Sequence, residues 1–153
     1  MNTKKEIKES EVEVRYIVMP KHCNPHNRVF GGMIISWLDM AAAMVAERHS
    51  NIPVATISMD SIKFLTPINI GQHVLIQARL NYVGITSMEI EVNAYVEDPY
   101  KQTKVVATTA FLTFVGIGTD GQASKVPQLF LTTEDQKKRF DQALARKKNR
   151  IKN

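Results

Sequence analysis

The stretch NPHNRVFGGMIISWLDMAAAMVAERHS, residues 24–50, joins a polar loop to a long apolar run. Within residues 33–46 the only residues that are not apolar are Ser36 and Asp39. Such a run predicts a helix from about Gly32 to His49 that other parts of the protein wrap on nearly all sides. An ionised carboxylate is costly to remove from water unless partners compensate it. The Asp39 side chain therefore either reaches solvent or is buried because it has a functional role.

On both sides of this helix the apolar residues recur with a period of two, which is typical of β-strands. One strand precedes the helix and four follow it with short turns between them: 11–18, 54–65, 73–80, 86–96 and 103–115. A second, amphipathic helix ends the sequence, and Thr133 with Gln136 has the spacing of a capping box. This order predicts an α+β fold, in which a curved five-stranded antiparallel sheet encloses one long buried helix and a C-terminal helix follows.

The positive charge is concentrated at one end of the chain. The 153 residues carry a net charge of +5, and residues 132–153 hold eight Lys or Arg against three Asp or Glu, which accounts for the whole surplus. A basic tail of this kind is more often a solvated helix than a binding surface, although it could meet phosphates. We expect no nucleic-acid partner. The predicted divisions are a flexible N-terminus (1–9), one domain (10–131) and a basic helical tail (132–153).

Several classes of protein are disfavoured by the sequence. The single cysteine excludes an internal disulfide, and no apolar run follows the charged N-terminus as it would in a secretory signal. The longest apolar stretch is too short to span a bilayer, so we predict a cytoplasmic protein without membrane insertion. His22, Cys23 and His26 lie together but lack a matching distant pair of ligands, so no metal site is predicted. Nothing in the sequence activates Cys23 as a nucleophile.

Three segments carry a resemblance to a known family: MPKHCNPHNRVFGGMIISWLDMAAAMVA, SMDSIKFLTPINIGQ and TAFLTFVGIG. Together they resemble the hotdog-fold acyl-CoA thioesterases, and in particular the YciA-type acyl-CoA hydrolases. The resemblance covers residues from about 10 to 130. It implies the hotdog fold and the hydrolysis of acyl-CoA thioesters to free fatty acid and coenzyme A (CoA), without a metal or other cofactor.

The start of the apolar helix has the chemistry that such a reaction needs. A helix that opens at Gly31-Gly32 presents unpaired N–H groups and roughly half an elementary positive charge. Glycine lets a ligand carbonyl approach the backbone closely, as stabilisation of an oxyanion requires. Asp39 lies about 10 Å further along the helix axis, too far to serve the same pocket easily. A second copy of the chain could bring its own Asp39 there.

The resemblance assigns roles to these residues. Asp39 would be the general base or the nucleophile, Asn24 would orient water or polarise the carbonyl, and the N–H of Gly32, with that of Gly31, would form the oxyanion hole. Other interpretations remain open, because Asp39 could simply bond a neighbouring loop, Asn24 could cap its own loop, and Asn27 is a rival for its role. Where related enzymes often have histidine, before the glycine pair, this chain has Phe30.

Coenzyme A also carries phosphate groups, which basic or hydroxyl-bearing residues must bind. Thr86 and Ser87 follow the turn at Gly84, a position where family members bind CoA. Asp60 either lines the same pocket or points to water. Lys63 is a possible charge partner of the phosphates, as are Arg79 and Lys104, although each is also typical of an ordinary surface residue.

The resemblance also implies an assembly. The family's acid and glycine pair come from different subunits, so we expect a homodimer paired edge to edge, and further assembly into a hexamer as a trimer of dimers. Two alternative functions remain: a hydroxyacyl-thioester dehydratase, which needs a histidine near the helix start, and a non-catalytic acyl-CoA-binding regulator. The acyl chain length is not predicted. Four apolar helix residues either line an acyl tunnel or, as helical spacing favours, belong to the core: Met33, Trp37, Met40 and Met44.

Overall fold

The computed structural model describes residues 4–152 and consists of one antiparallel sheet and two long helices. In chain order these elements are β1 (Val12–Ile17), α1 (Gly31–Ser50), β2 (Val54–Phe64), β3 (His73–Val83), β4 (Ser87–Asp98), β5 (Thr103–Gly116) and α2 (Glu134–Lys152). Each lies within a few residues of the element predicted from the apolar periodicity.

The five strands form a single sheet in the order β1-β3-β4-β5-β2, and every neighbouring pair is antiparallel. The predicted α+β fold is thereby confirmed. β5 is flanked by β4 and β2, which agrees with its two apolar faces. β2 lies at an edge of the sheet, so one side of its backbone has no strand partner in residues 4–152.

Helix α1 packs along one face of the sheet. Its buried side is a continuous apolar stripe that includes Trp37, Leu38, Ala42 and Val45. The opposite side is not covered, because Met40 is 49% exposed and Met44 is 41% exposed. The expectation that the chain wraps this helix on nearly all sides is therefore wrong for a single copy. One sheet has one inner face, and it covers only one side of a helix.

The N-terminal segment differs from the flexible tail predicted for residues 1–9, as far as it lies within the described residues. The N–H of Lys5 donates to the carbonyl of Gln128 at 3.0 Å, and the N–H of Phe130 donates to the carbonyl of Lys5 at 2.8 Å. Ile7 is completely buried. A single apolar residue among charged neighbours gives no periodic signal, which is why the sequence does not reveal this attachment.

Helix α2 packs on the outer face of the sheet rather than extending into solvent, so the expectation of a solvated helix is wrong. Thr133 caps it as predicted, because the N–H of Gln136 donates to the Thr133 hydroxyl at 3.1 Å. Ala143 is fully buried, and the Phe140 ring lies 4.8 Å from that of Tyr82. Among residues 4–152, neither α2 nor any other helix has the length and apolar character needed to cross a membrane.

Candidate active site

The first turn of α1 is open towards the outside of the molecule. Phe30 precedes the helix in an extended conformation, and within residues 4–152 no side chain bonds to the free N–H groups of the first turn. Gly31 and Gly32 are both exposed. A Cβ added at Gly31 would lie 3.7 Å from the Phe64 ring, and one at Gly32 would lie 3.5 Å from the Phe30 ring, which are ordinary contacts. Neither contact within the described part of the chain requires glycine here, so the room that the pair leaves faces outwards.

The loop before α1 holds Asn24 by its side chain. The Asn24 Oδ1 atom accepts hydrogen bonds from the N–H groups of His26 at 2.9 Å and Arg28 at 3.2 Å. Asn24 therefore does cap its loop, and the bonds leave its Nδ2 group available as a donor. Asn27 has a φ of 60°, a left-handed conformation that asparagine tolerates, and its carbonyl accepts from Ile70. The turn alone accounts for Asn27.

A cleft of about 310 Å³ lies between this loop and the end of β2. It brings together the predicted residues Asn24 and Gly31, and most of its remaining wall is apolar, with Ile34, Phe64 and Leu65. The cleft thus combines an apolar surface, an amide donor and the positive end of a helix. That combination suits an uncharged acyl group whose carbonyl oxygen gains negative charge during a reaction.

Asp39 does not line this cleft, although it belongs to the same helix. It is only partly buried, and its Oδ1 atom accepts a hydrogen bond from the hydroxyl of Thr56 at 2.9 Å. Within residues 4–152 no Lys or Arg lies within 4.0 Å of its carboxylate. Thr56 has no signal in the sequence, because a threonine in a strand is ordinary and its partner lies 17 positions away.

The turn at Gly84 is well ordered by hydrogen bonds. Gly84 N–H donates to the Ser87 carbonyl at 2.8 Å, and Gly116 N–H donates to the Thr86 carbonyl at 3.0 Å. The Ser87 hydroxyl lies 3.4 Å from the Lys147 ammonium group, which comes from α2. Two of the three predicted CoA-binding residues of this turn, Gly84 and Ser87, are thus close to a cation.

This turn and the cleft lie at opposite ends of β2 in one chain. Gly116, which bonds the turn, pairs with Val54 at the start of β2, whereas Phe64 at its end lines the cleft together with Gly31. At the usual rise of a strand, the 11 residues of β2 span roughly 35 Å. The turn of one chain is therefore far from the helix start of the same chain.

The other predicted phosphate contacts are dispersed. The Asp60 carboxylate accepts a hydrogen bond from Arg150 at 2.8 Å, and Lys63 is an exposed residue of β2. Neither lines the cleft. Lys104 lies with its ammonium group 4.5 Å from the centre of the Tyr95 ring, and Arg79 belongs to a shallow cavity beside β1.

Of the three residues considered above as metal ligands, His22 and Cys23 instead contact neighbouring groups of the protein. The Nδ1 atom of His22 accepts a hydrogen bond from the N–H of Met19 at 2.9 Å, and its ring contacts that of Trp37 at 5.1 Å. The Cys23 thiol lies 3.5 Å from the Met19 carbonyl. In the described part of the chain, no three His, Cys, Asp or Glu residues are placed to share a metal ion. Among the four helix residues considered for an acyl tunnel, Trp37 belongs to the core, since only 3% of its surface is exposed.

Comparison with known proteins agrees with this architecture. The family model of the thioesterase superfamily matches residues 26–103. A protein of Zymomonas mobilis, named an uncharacterized acyl-CoA thioester hydrolase, is 38% identical over 119 residues, which are 78% of this chain and 80% of that protein. The chain belongs to the thioesterase superfamily. The resemblance to the hotdog-fold acyl-CoA thioesterases is confirmed.

Solved structures resemble this thioesterase over almost its full length. An acyl-CoA hydrolase of Staphylococcus aureus, in complex with butyryl-CoA, CoA and CoA disulfide, superimposes with a TM-score of 0.91 and 31% identity, covering 97% of this chain and 91% of that one. A hexameric acyl-CoA thioesterase gives a TM-score of 0.92 and 30% identity, with coverages of 98% and 96%.

Three further structures of the S. aureus enzyme each have alanine in place of one residue. The replaced residues are an asparagine, an aspartate 15 positions later and a threonine 17 positions after the aspartate. The asparagine variant was solved in complex with CoA.

Proposed function

We propose that this thioesterase hydrolyses acyl-CoA thioesters to free fatty acid and CoA. The observation that carries the proposal is the cleft in which Asn24 and the uncapped start of α1 meet an apolar wall. The relatives named as acyl-CoA hydrolases add the substrate class. The separations between Asn24, Asp39 and Thr56 equal those between the three residues replaced in the S. aureus enzyme, which supports the same three residues here.

The chemistry assigned to each group follows from what it can donate or accept. Attack on the thioester carbonyl places negative charge on its oxygen, and the N–H groups of Gly31 and Gly32 at the positive helix end would stabilise it. Asn24 has only its Nδ2 donor free, so it would polarise the carbonyl or orient the attacking water. Collapse of the tetrahedral intermediate breaks the C–S bond, and the CoA thiolate leaves and takes up the proton that the attacking water has lost.

Asp39 would supply the base for the attacking water or act as the nucleophile itself. Both roles require an ionised carboxylate that points in a fixed direction. The hydrogen bond from Thr56 occupies one oxygen, Oδ1, and leaves Oδ2 for the reaction. Thr56 is therefore a positioning residue in this proposal. The reaction needs only water and these residues, without a metal or other cofactor, and activity should survive dialysis against a chelator.

Two features support a site shared between subunits. Residues on β2 and on the open side of α1 expose large apolar side chains, including Met40, Ile57, which is 60% exposed, and Phe64, which is 54% exposed. A second copy that pairs its β2 with this one would cover them and complete the sheet edge. We therefore propose a homodimer as the minimal unit, and a trimer of dimers as the assembly that mass measurement should find.

The direction of that pairing gives the second feature. A two-fold axis that passes between the two copies of β2 makes these strands antiparallel, so the start of one lies beside the end of the other. The Asp39–Thr56 pair lies towards the start of β2, and the cleft that Gly31 and Phe64 line lies at its end. Pairing thus brings the acid of one subunit towards the helix start of the other.

The length of the substrate leads to the same arrangement. The pantetheine arm of CoA spans roughly 15 Å, as four or five extended peptide units would. It is too short to connect the turn at Gly84 with Gly31 of the same chain. It would connect that turn with the Gly31 cleft of a partner.

The two alternative functions receive less support. A dehydratase needs a histidine at the helix start, but Phe30 is there, and His22 is already bonded to the Met19 backbone. A non-catalytic regulator would need the acyl-CoA site but not a positioned carboxylate, which the bond between Thr56 and Asp39 provides.

A thiol-release assay with straight-chain acyl-CoAs from two to sixteen carbons tests the proposal. We expect turnover for part of this panel and its loss in Asp39→Asn. CoA binding without any turnover would support the regulator instead, and hydration of an enoyl-CoA would support the dehydratase. The cytoplasmic location stays a prediction.

A further inference from the structure

Three polar groups converge above the α-carbon of Gly84. A Cβ added at this glycine would lie 3.0 Å from the Lys147 ammonium nitrogen, 3.0 Å from the Ser87 hydroxyl and 3.2 Å from the Tyr82 hydroxyl. These distances are tighter than most real Cβ contacts, so a side chain here would displace the three groups by a few tenths of an ångström, and glycine leaves the space between them open. An ammonium group and two hydroxyls are all able to donate hydrogen bonds to the same anion.

Lys147 is the exception among the half-buried cations of α2. The other three each pair with a carboxylate of the sheet: Arg139 with Glu91 at 2.8 Å, Arg146 with Glu89 at 2.7 Å and Arg150 with Asp60 at 2.8 Å. In residues 4–152 no carboxylate lies within 4.0 Å of Lys147, which has only the Ser87 hydroxyl at 3.4 Å and the Tyr82 ring at 5.2 Å. A partly desolvated cation without a counter-ion is suited to an anion from outside the chain.

The surroundings of this cation are preformed. The Gly84 N–H bonds the Ser87 carbonyl at 2.8 Å, and the Gln128 side-chain amide donates to the Gly84 carbonyl at 2.9 Å. Helix α2, which carries Lys147, is held against the sheet by its neighbour Arg146, whose guanidinium lies 3.7 Å from the centre of the Phe111 ring. An anion would therefore bind with little further ordering of the protein.

We propose that Lys147, with the hydroxyls of Ser87 and Tyr82, binds a phosphate group of the CoA substrate. This inference rests on the proposed function, and it assigns to the C-terminal helix a direct part in substrate binding. A free phosphate ion is a second source of the same chemistry. The two sources predict different kinetics, because only the first makes the substrate's own phosphates necessary.

The test compares two substrates with the same acyl group, acyl-CoA and acyl-pantetheine, of which only the first carries phosphates. A hydrogen bond to a charged group is worth about 1.5–3 kcal/mol, so Lys147→Gln should raise KM for acyl-CoA by roughly 10- to 100-fold. We expect kcat with acyl-CoA to change less than about threefold, and both constants for acyl-pantetheine to stay at wild-type values. Lys148→Gln is the matched control, because the neighbouring Lys148 is exposed, and it should behave as wild type.

Equal rises of KM for both substrates would overturn the proposal, since they would mean that Lys147 only supports the fold. An unchanged KM for acyl-CoA would also overturn it. If Lys147→Gln does not fold, Lys147→Met, which keeps the apolar stem beside Tyr82, takes its place. Inorganic phosphate that inhibits acyl-CoA and acyl-pantetheine turnover equally, and loses this effect in Lys147→Gln, would assign the site to free phosphate rather than to CoA and so contradict the proposal.

Failure of this inference is distinguishable from failure of the proposed function. If the wild type turns over no acyl-CoA, hydrolysis is excluded, whereas calorimetric binding of CoA to wild type and Lys147→Gln still measures the phosphate contact. We then expect the same 10- to 100-fold loss, now in Kd, by the same hydrogen-bond argument.

Discussion

The two long helices cover opposite faces of one sheet by different means. Helix α1 meets the inner face with apolar side chains, whereas α2 meets the outer face with cations that pair with carboxylates of β4 and β2. Each helix nevertheless carries one partly buried charge that has no opposite charge beside it within the described residues: Asp39 on α1 and Lys147 on α2.

We assign a functional role to each of these two residues, Asp39 in the reaction and Lys147 in substrate binding. A structural charge on either helix would be expected to find a partner, as Arg146 finds Glu89. A charged group that binds a substrate must instead remain without an opposite charge from the protein itself. We therefore propose that, on the two long helices, the half-buried charges without a partner mark the two ends of the substrate.

Replacement of Asp39 by Asn should remove the reactive charge without disturbing the fold. The Asn Oδ1 can still accept the hydrogen bond from Thr56, so we expect the thermal midpoint to stay the same or to rise. The turnover number should fall by roughly 10²- to 10⁴-fold, the usual value of a positioned proton-transfer group. Asp141→Asn on the exposed side of α2 is the control. Near wild-type thiol release from a folded Asp39→Asn protein would refute the catalytic role.

Removal of a paired cation from α2 should cost stability rather than chemistry. Arg146→Ala leaves Glu89, whose side chain is 5% exposed, without its partner. We expect a loss of about 2 kcal/mol in the free energy of unfolding, between the values for surface and for fully buried pairs. Lys137→Ala breaks the exposed pair with Glu134 and should cost less than about 0.5 kcal/mol. Urea unfolding measures both, and equal losses would contradict the packed role of α2.

Loss of the Thr56 hydroxyl should affect Asp39 alone. Thr56→Val keeps the shape of the side chain but removes the donor to the carboxylate. We expect kcat to fall by about tenfold, which corresponds to one hydrogen bond of about 1.4 kcal/mol, with KM nearly unchanged. Thr56→Ser, which retains the donor, should recover most of the activity. Equal loss in both variants would mean that the methyl group matters and not the hydroxyl.

The smallest effect concerns the other end of α1. His49 is completely buried, its Nε2 atom lies 2.6 Å from the Pro127 carbonyl, and burial lowers its pKa below the usual 6.5, with nearby Lys5 lowering it further and Glu9 opposing this. The folded protein therefore binds fewer protons than the unfolded one when the pH falls below 6.5, and it loses stability there. His49→Gln should make the difference in stability between pH 7.5 and pH 5.5 smaller in urea unfolding. An unchanged difference would contradict this account.

The sequence predicted much of this fold because its signals are local. The alternation in β4 and the almost continuous apolar run of α1 each specify an element without knowledge of its neighbours. The packing of α2 was not predictable in the same way. Glu89 and Arg146 both look like surface residues in the sequence, and only the folded chain shows that they bury one another.

In the candidate site, too, the residues with a local sequence signal were predictable, and those that depend on distant contacts were not. Asn24 and the Gly31-Gly32 pair were identified in one short segment, and the cleft contains Asn24 and Gly31. Thr56 was missed, since its importance lies in a contact with Asp39 across 17 positions. The unpaired state of Lys147 was equally invisible, because it depends on where three other cations of the same helix find their partners.

We propose that the acid on α1 of one subunit serves the helix start of the other. Asn24→Ala and Asp39→Ala proteins should each be nearly inactive as homodimers. When equal amounts are unfolded and refolded together, about half of the dimers should be mixed, and each mixed dimer has one site with both changes and one with neither. Thiol release should then recover to about a quarter of the wild-type rate. If Asn24 and Asp39 act within one chain, every site carries one change. Mixed dimers verified by mass spectrometry that show no recovery would contradict the shared site.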